Sequence, residues 1–229
     1  SLVYRLQAAN PEQPLVDYLR YKSLTEDEVT ISLFGSSATA GVGASEPKYA
    51  WGGHLEAQLH ALGKDFQKVQ VVAHGFPTYS TTRLVKEVKI KSVLADKPDL
   101  VIVETGLFHN YDQHVPLDET KQKIDAIVHS LQKNVPEAKI IVTSSNPVSI
   151  VSEENTENYI DYTYNDYIES LTGLAKEKGW AYVNIHDEME ARLAQENIQL
   201  SSLLTKGTDL IDDGHAIWAE ELVEYLSKK

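Results

Sequence analysis

The sequence predicts a three-layer α/β/α sandwich built on a five-stranded parallel sheet. Short apolar runs rich in β-branched residues recur five times, and longer segments with helical spacing separate them. Pro98 and Pro136 fall where a helix has ended and a strand is about to start, which suits a residue with no backbone donor. In such an open sheet the ligand-bearing edge lies at the carboxyl ends of the strands.

The elements follow in order. Pro11, Pro14 and the apolar residues of 15–19 read as an extended lead and a short helix, an N-terminal extension over 1–25 lying on a single domain over 26–229. The first core strand is expected at 29–34, where β-branched and aromatic residues dominate, and a helix near 48–62 follows it. A second strand at 69–72 leads to a helix over 80–95, and a third at 100–103 leads to one over 117–133. Strands at 139–142 and 181–185 flank a helical pattern over 157–178, and a last helix spans about 216–227. No fixed-period repeat or low-complexity linker divides the chain.

Composition narrows the function classes. Of 229 residues, 42% are hydrophobic, enough for a sizeable core and too many for a disordered chain. Acidic side chains number 34 against 21 basic ones, and the net charge of −13 argues against nucleic-acid partners and strongly anionic membranes, both of which would repel it. The absence of cysteine removes disulfide scaffolds, thiolate zinc sites and cysteine nucleophiles together. No apolar run approaches the roughly 20 residues that span a bilayer. Ser1 to Leu6 lacks the charged, apolar and cleavable series of a signal peptide, and the missing initial Met points to a processed or truncated chain. With cysteine absent, the expected location is extracellular or at the cell surface, with a targeting segment outside this sequence.

Two loops at the active edge carry chemistry. After the first strand, Phe34-Gly35-Ser36-Ser37-Ala38-Thr39-Ala40-Gly41 is a run of small residues that turns sharply and leaves a hydroxyl and several amides exposed. It reads as a plain strand–helix turn, an anion cradle or the seat of a serine nucleophile. No Gly-x-Gly-x-x-Gly or Gly-Lys-Ser/Thr pattern supports the cradle. Near the other end, Asp212-Asp213-Gly214-His215 enters the last helix with an acid three residues before a histidine. That spacing can set a carboxylate beside an imidazole; equally, an aspartate there can cap the helix. The Gly-x-Ser-x-Gly elbow of the α/β-hydrolases is absent around Ser37.

Taken together, these residues resemble the SGNH, or GDSL-type, hydrolases, over roughly 28–226. The family's first block, Gly-Asp-Ser-x-Thr-x-Gly, is matched by Gly35 to Gly41 at every fixed position except the aspartate, which is Ser36 here. The resemblance implies a flavodoxin-like fold, Ser37 as nucleophile, and Asp212 and His215, in the family's Asp-x-x-His block, as acid and base. It puts Thr78 at the glycine whose amide helps form the oxyanion hole, with Gly75 as the alternative donor. In the third block, Gly-x-Asn-Asp, ungapped alignment from Gly106 brings Phe108 to the asparagine; Asn110 is the preferred donor and His109 a weaker one. The oxyanion hole is then Ser37, Thr78 and Asn110.

The remaining singled-out residues have plainer readings. Trp51 packs on the sheet, as the area of a tryptophan favours. His74, His109 and His114 lack the spacing of a zinc site. The acidic stretch over 152–157 is a solvated loop and helix start. The expected function is a serine esterase acting through an acyl-enzyme on carboxylic esters with short acyl chains, such as acetyl groups on carbohydrate, with no metal or organic cofactor. Its partner would be a small-molecule or glycan ester. Acyl transfer to a cell-envelope glycan and a non-catalytic binding module with a decayed oxyanion hole are the alternatives.

Overall fold

The structure is a computed structural model and describes residues 13–228. Five parallel strands form the central sheet: β1 (Val29–Gly35), β2 (Val69–Gly75), β3 (Leu100–Glu104), β4 (Lys139–Thr143) and β5 (Ala181–Val183). Their spatial order is β2-β1-β3-β4-β5, the flavodoxin-like order, and every crossover is helical. The helices are α1 (Leu15–Thr25), α2 (Trp51–Ala61), α3 (Thr81–Lys86), α4 (Lys91–Ala95), α5 (Leu107–Asp112), α6 (Leu117–Asn134), α7 (Tyr164–Lys178), α8 (Ile185–Glu196) and α9 (Asp212–Ser227). A two-residue antiparallel ribbon, β6 (Leu204–Thr205) with β7 (Asp209–Leu210), precedes α9.

Period-two alternation sorts each strand between two cores. Val29, Ile31 and Leu33 of β1, with Leu100 and Ile102 of β3, face one side together with Trp51, Leu55, Trp218 and Leu222 from α2 and α9. Phe34, Val101 and Val103 face the other side, against Leu84, Ile127 and Leu131 of α3 and α6. A third cluster joins Leu107 and Tyr111 of α5 to Tyr164 and Tyr167 of α7. Trp51 is fully buried and stacks on Trp218 with ring centroids 5.4 Å apart, so α2 and α9 meet through the two largest side chains of the core.

The expected lead through Pro11 lies outside the described residues. From Leu15 onward the N-terminal segment is helical and belongs to the main core through Tyr18 and Leu19, and the Tyr18 hydroxyl donates to the Asp99 carbonyl. Other boundaries differ from the sequence pattern for local reasons. The helix expected over 80–95 is two helices, because the backbone turns left-handed at Val88 (φ 52°). The one expected from 157 begins at Tyr164, where Thr163 and Asp166 form a capping box; the preceding residues turn on Asn158, whose side-chain oxygen accepts from the Ile160 and Tyr162 amides. β5 stops at Val183 because Asn184 caps α8, its side chain accepting from the Asp187 amide.

Candidate active site

Ser37 sits in the turn that leaves β1, held by the Val42 amide on its own carbonyl and the Ala40 amide on that of Ser36. Beneath this turn lies Glu104, the last residue of β3, fully enclosed. One of its carboxylate oxygens accepts from the Ser36 amide (3.0 Å), the Thr39 amide (3.3 Å) and the Thr39 hydroxyl (3.1 Å); the other accepts from the Gly106 amide. Burial pushes the Glu104 carboxyl above its ordinary range, and these donors pull it back. Gly106 is left-handed (φ 59°), and a Cβ there would lie 2.8 Å from the Ser36 Cβ. That close approach lets α5 start directly over the Ser37 turn.

The second loop arrives from β2. The Thr78 backbone N–H donates to Ser37 Oγ at 2.9 Å, and Thr78 adopts a left-handed φ of 65° to do so. Gly75 has a different part: it ends β2 opposite Gly35, and the place of its Cβ is filled by the Ala40 amide at 2.0 Å. Of these two residues it is Thr78 whose amide reaches the serine oxygen.

The acid and base expected in the last loop are not brought to the serine. His215 is fully buried at the start of α9. Its Nδ1 accepts the Trp51 backbone N–H at 3.1 Å, so Nε2 carries the ring proton and donates to the Val42 carbonyl at 3.2 Å. Burial pushes its pKa below the ordinary imidazole value, against the pull of the Val42 carbonyl and Asp212. A neutral ring whose single lone pair is already bonded cannot take a serine proton, and His215 is corrected to a structural residue. Asp212 makes no bond to it. Its two oxygens accept from the Ser45 amide (2.7 Å) and hydroxyl (2.5 Å), which hold its carboxyl below the usual range.

Asn110 is likewise corrected. It is fully buried inside α5, its side-chain oxygen accepting from the Thr81 amide and its nitrogen donating to the Thr81 and Thr120 hydroxyls. Both of its amide protons tie α5 to α3 and α6, and none is left for an oxyanion.

What does meet Ser37 is a cavity of about 30 Å³ whose walls include Glu104, Phe108, His109, Asn146 and Asp209. His109 stands on the first turn of α5 and Asp209 on β7. The sequence offered His109 as a weaker oxyanion donor and as a metal candidate without zinc-site spacing, and did not single out Glu104 or Asp209. Glu104 had a signal: a carboxylate closing an apolar strand needs partners to be buried. Asp209 had none, because it is one of three acids within five residues and spacing does not choose among them.

The histidines considered for a metal are scattered. His74 pairs with Asp96 at 2.5 Å, and His114 packs edge-on against Tyr159. Among the described residues, Glu153, His186 and Glu190 bring possible ligand atoms within 4.8 Å of one another. Burial would lower the His186 pKa, but hydrogen bonds and charge from Glu153 and Asp187 outweigh it and raise the ring to about 9.

The family model for the GDSL-like lipase/acylhydrolase family matches residues 33–207. No match is found among curated proteins. The fold is similar to that of a catalytic mutant of an acetylxylan esterase from Geobacillus stearothermophilus, with a TM-score of 0.68, 18% identity, and 88% of this chain and 95% of that one covered. It is also similar to a two-domain esterase active on acetylated mannans, with a TM-score of 0.70 and 15% identity, covering 97% of this chain and 55% of that one. A member of the lipolytic G-D-S-L family from Veillonella parvula aligns with a TM-score of 0.65 at 13% identity, over 86% of this chain and 97% of that one.

Proposed function

The chain belongs to the GDSL-like lipase/acylhydrolase family, and from that premise we propose that it is a serine esterase that removes short acyl groups, such as acetyl, from carbohydrate hydroxyls. The observation that carries this reading is the Thr78 N–H held at 2.9 Å on Ser37 Oγ beside a small cavity. When Oγ attacks an ester carbonyl, negative charge moves to the carbonyl oxygen. Thr78 N–H can transfer to that oxygen, and the Ser37 N–H, which has no acceptor among the described residues, is the second donor. A cavity of about 30 Å³ takes an acyl group of a few heavy atoms and leaves no room for a long chain.

The alcohol side is wider. Phe108 also borders a second cavity of about 300 Å³, lined by Tyr111, His114, Ile150 and Tyr159, large enough for a sugar ring with aromatic surface to stack on. The names of the acetylxylan and acetylated-mannan esterases support the same class of ester. Transfer of the acyl group to another hydroxyl uses the same acyl-enzyme, and an added alcohol acceptor distinguishes it from hydrolysis by the transfer product.

Phe108, which ungapped alignment from Gly106 brings to the family's asparagine donor, favours a second reading in which the site binds an ester without cleaving it. Losing one such donor lowers turnover by about 100- to 1000-fold in other hydrolases, which predicts a slow enzyme here. Fluorophosphonate labelling followed by intact mass separates the two. A single adduct on Ser37, absent from Ser37→Ala, with p-nitrophenyl acetate cleaved faster than the octanoate ester, is the expected result. A folded protein that takes no adduct would leave the binding module as the function.

A further inference from the structure

We infer that His109, with Asp209 as its charge partner, is the proton acceptor for Ser37. The inference rests on the esterase reading and supplies what that reading lacks once His215 is removed. Three groups with unused hydrogen-bonding capacity converge on one small cavity: the Ser37 hydroxyl, the His109 ring and the Asp209 carboxylate. Neither His109 nor Asp209 has a side-chain hydrogen bond or ion pair among the described residues. The contrast with His215 is complete, since both nitrogens of that ring are bonded to backbone.

The fold sets the pair in place from two directions. α5 begins at the left-handed Gly106 immediately after β3, so its first turn stands over the nucleophile turn, and His109 is in that turn. Asp209 comes from the β6–β7 ribbon, which lies against the far end of the same nucleophile loop; a Cβ on Gly43 would be 2.2 Å from the Leu210 carbonyl. The charged groups around the His109 ring are Asp209 from β7, Asp112 further along α5, and Glu104 in the cavity wall at the end of β3. Burial lowers the His109 pKa, and Asp209 followed by Asp112 pulls it back up. The ring is therefore neutral near pH 7, with its lone pair not engaged in any hydrogen bond among the described residues, and the nearby carboxylate stabilises the cation once a proton arrives.

Each step balances. As the Ser37 Oγ–carbon bond forms, the hydroxyl proton passes to a His109 ring nitrogen and the carbonyl π pair moves to oxygen, where the Thr78 and Ser37 amides hold it. Collapse of that oxyanion breaks the bond to the alcohol oxygen, which leaves with the His109 proton. Water then gives a proton to His109 as it attacks the acyl carbon, and Ser37 recovers a proton as the carboxylic acid departs.

The test compares the rate of fluorophosphonate adduct formation and of p-nitrophenyl acetate cleavage in the wild type, His109→Gln, Asp209→Asn and His215→Gln, each checked for folding by its thermal melt. His109→Gln is expected to slow both reactions at least about 100-fold. In Asp209→Asn the acid limb of the rate–pH profile moves to lower pH, because a negative charge that raised the His109 pKa has gone. His215→Gln keeps the wild-type rate per folded molecule. Imidazole added to His109→Ala restores part of the lost rate, a rescue that a merely structural histidine would not show. A wild-type adduct on Ser37 that forms equally fast in His109→Gln, with no imidazole response in His109→Ala, overturns the assignment and leaves the esterase reading standing. Absence of any adduct on the wild type overturns both.

Discussion

His109 and His215 carry the same ring and differ in what already bonds to it. The turn that exposes the Ser37 hydroxyl was legible in the sequence because seven consecutive residues, Gly35 to Gly41, specify it. The proposed base was not, because the availability of a histidine lone pair is decided by a backbone amide far away in sequence, Trp51 for His215. Thr78 shows the same dependence on setting. Its amide is what the site uses, and its side chain pays for that with a left-handed φ of 65°, strain of about 1–2 kcal/mol in a residue with a Cβ. Thr78→Gly keeps the amide and removes the strain, while the freer unfolded chain offsets about 0.5–1 kcal/mol of the gain. The variant is therefore expected to retain acetate-ester turnover within about threefold and to melt at or slightly above the wild-type temperature, as calorimetry and a kinetic assay would show.

At the scale of elements, the sheet was readable and the short pieces around it were not. Five short apolar runs rich in β-branched residues placed the strands to within a few residues, and α6 appeared where its pattern put it. α5 is six residues long and starts directly from a strand, too short for a helical period to register. The β6–β7 ribbon has two residues per strand and shows no alternation at all. These two pieces carry His109 and Asp209, which is why the candidate site was only half legible. Asn110 tests the reassignment of α5. Asn110→Ala deprives the Thr81 amide and two hydroxyls of a buried partner and is expected to destabilise the fold by about 2–3 kcal/mol, read by urea denaturation. Turnover per folded molecule should fall far less than the 100-fold or more that loss of an oxyanion donor produces.

For the molecule as a whole, pH acts through buried histidines set in an acidic protein. His186 is held near pKa 9, above its ordinary value of about 6.5, so it binds its proton more tightly folded than unfolded. Its stabilising contribution is complete below about pH 6.5 and is lost as the pH rises through 9. The melting temperature should therefore fall between pH 7 and pH 10, and His186→Gln should flatten that alkaline limb. His215 works in the opposite sense. Its lowered pKa favours the neutral ring in the folded state, so acid that protonates it breaks the Trp51 bond and weakens the fold.

The cavity draws its walls from Ser37 and from Asp209, far apart in sequence, and α9, which follows Asp209, closes on α2 through the Trp51–Trp218 stack. During synthesis Ser37 thus leaves the ribosome long before the ribbon that carries Asp209 exists. At about 5–20 residues per second the interval is on the order of tens of seconds. Throughout it the cavity beside Ser37 is incomplete.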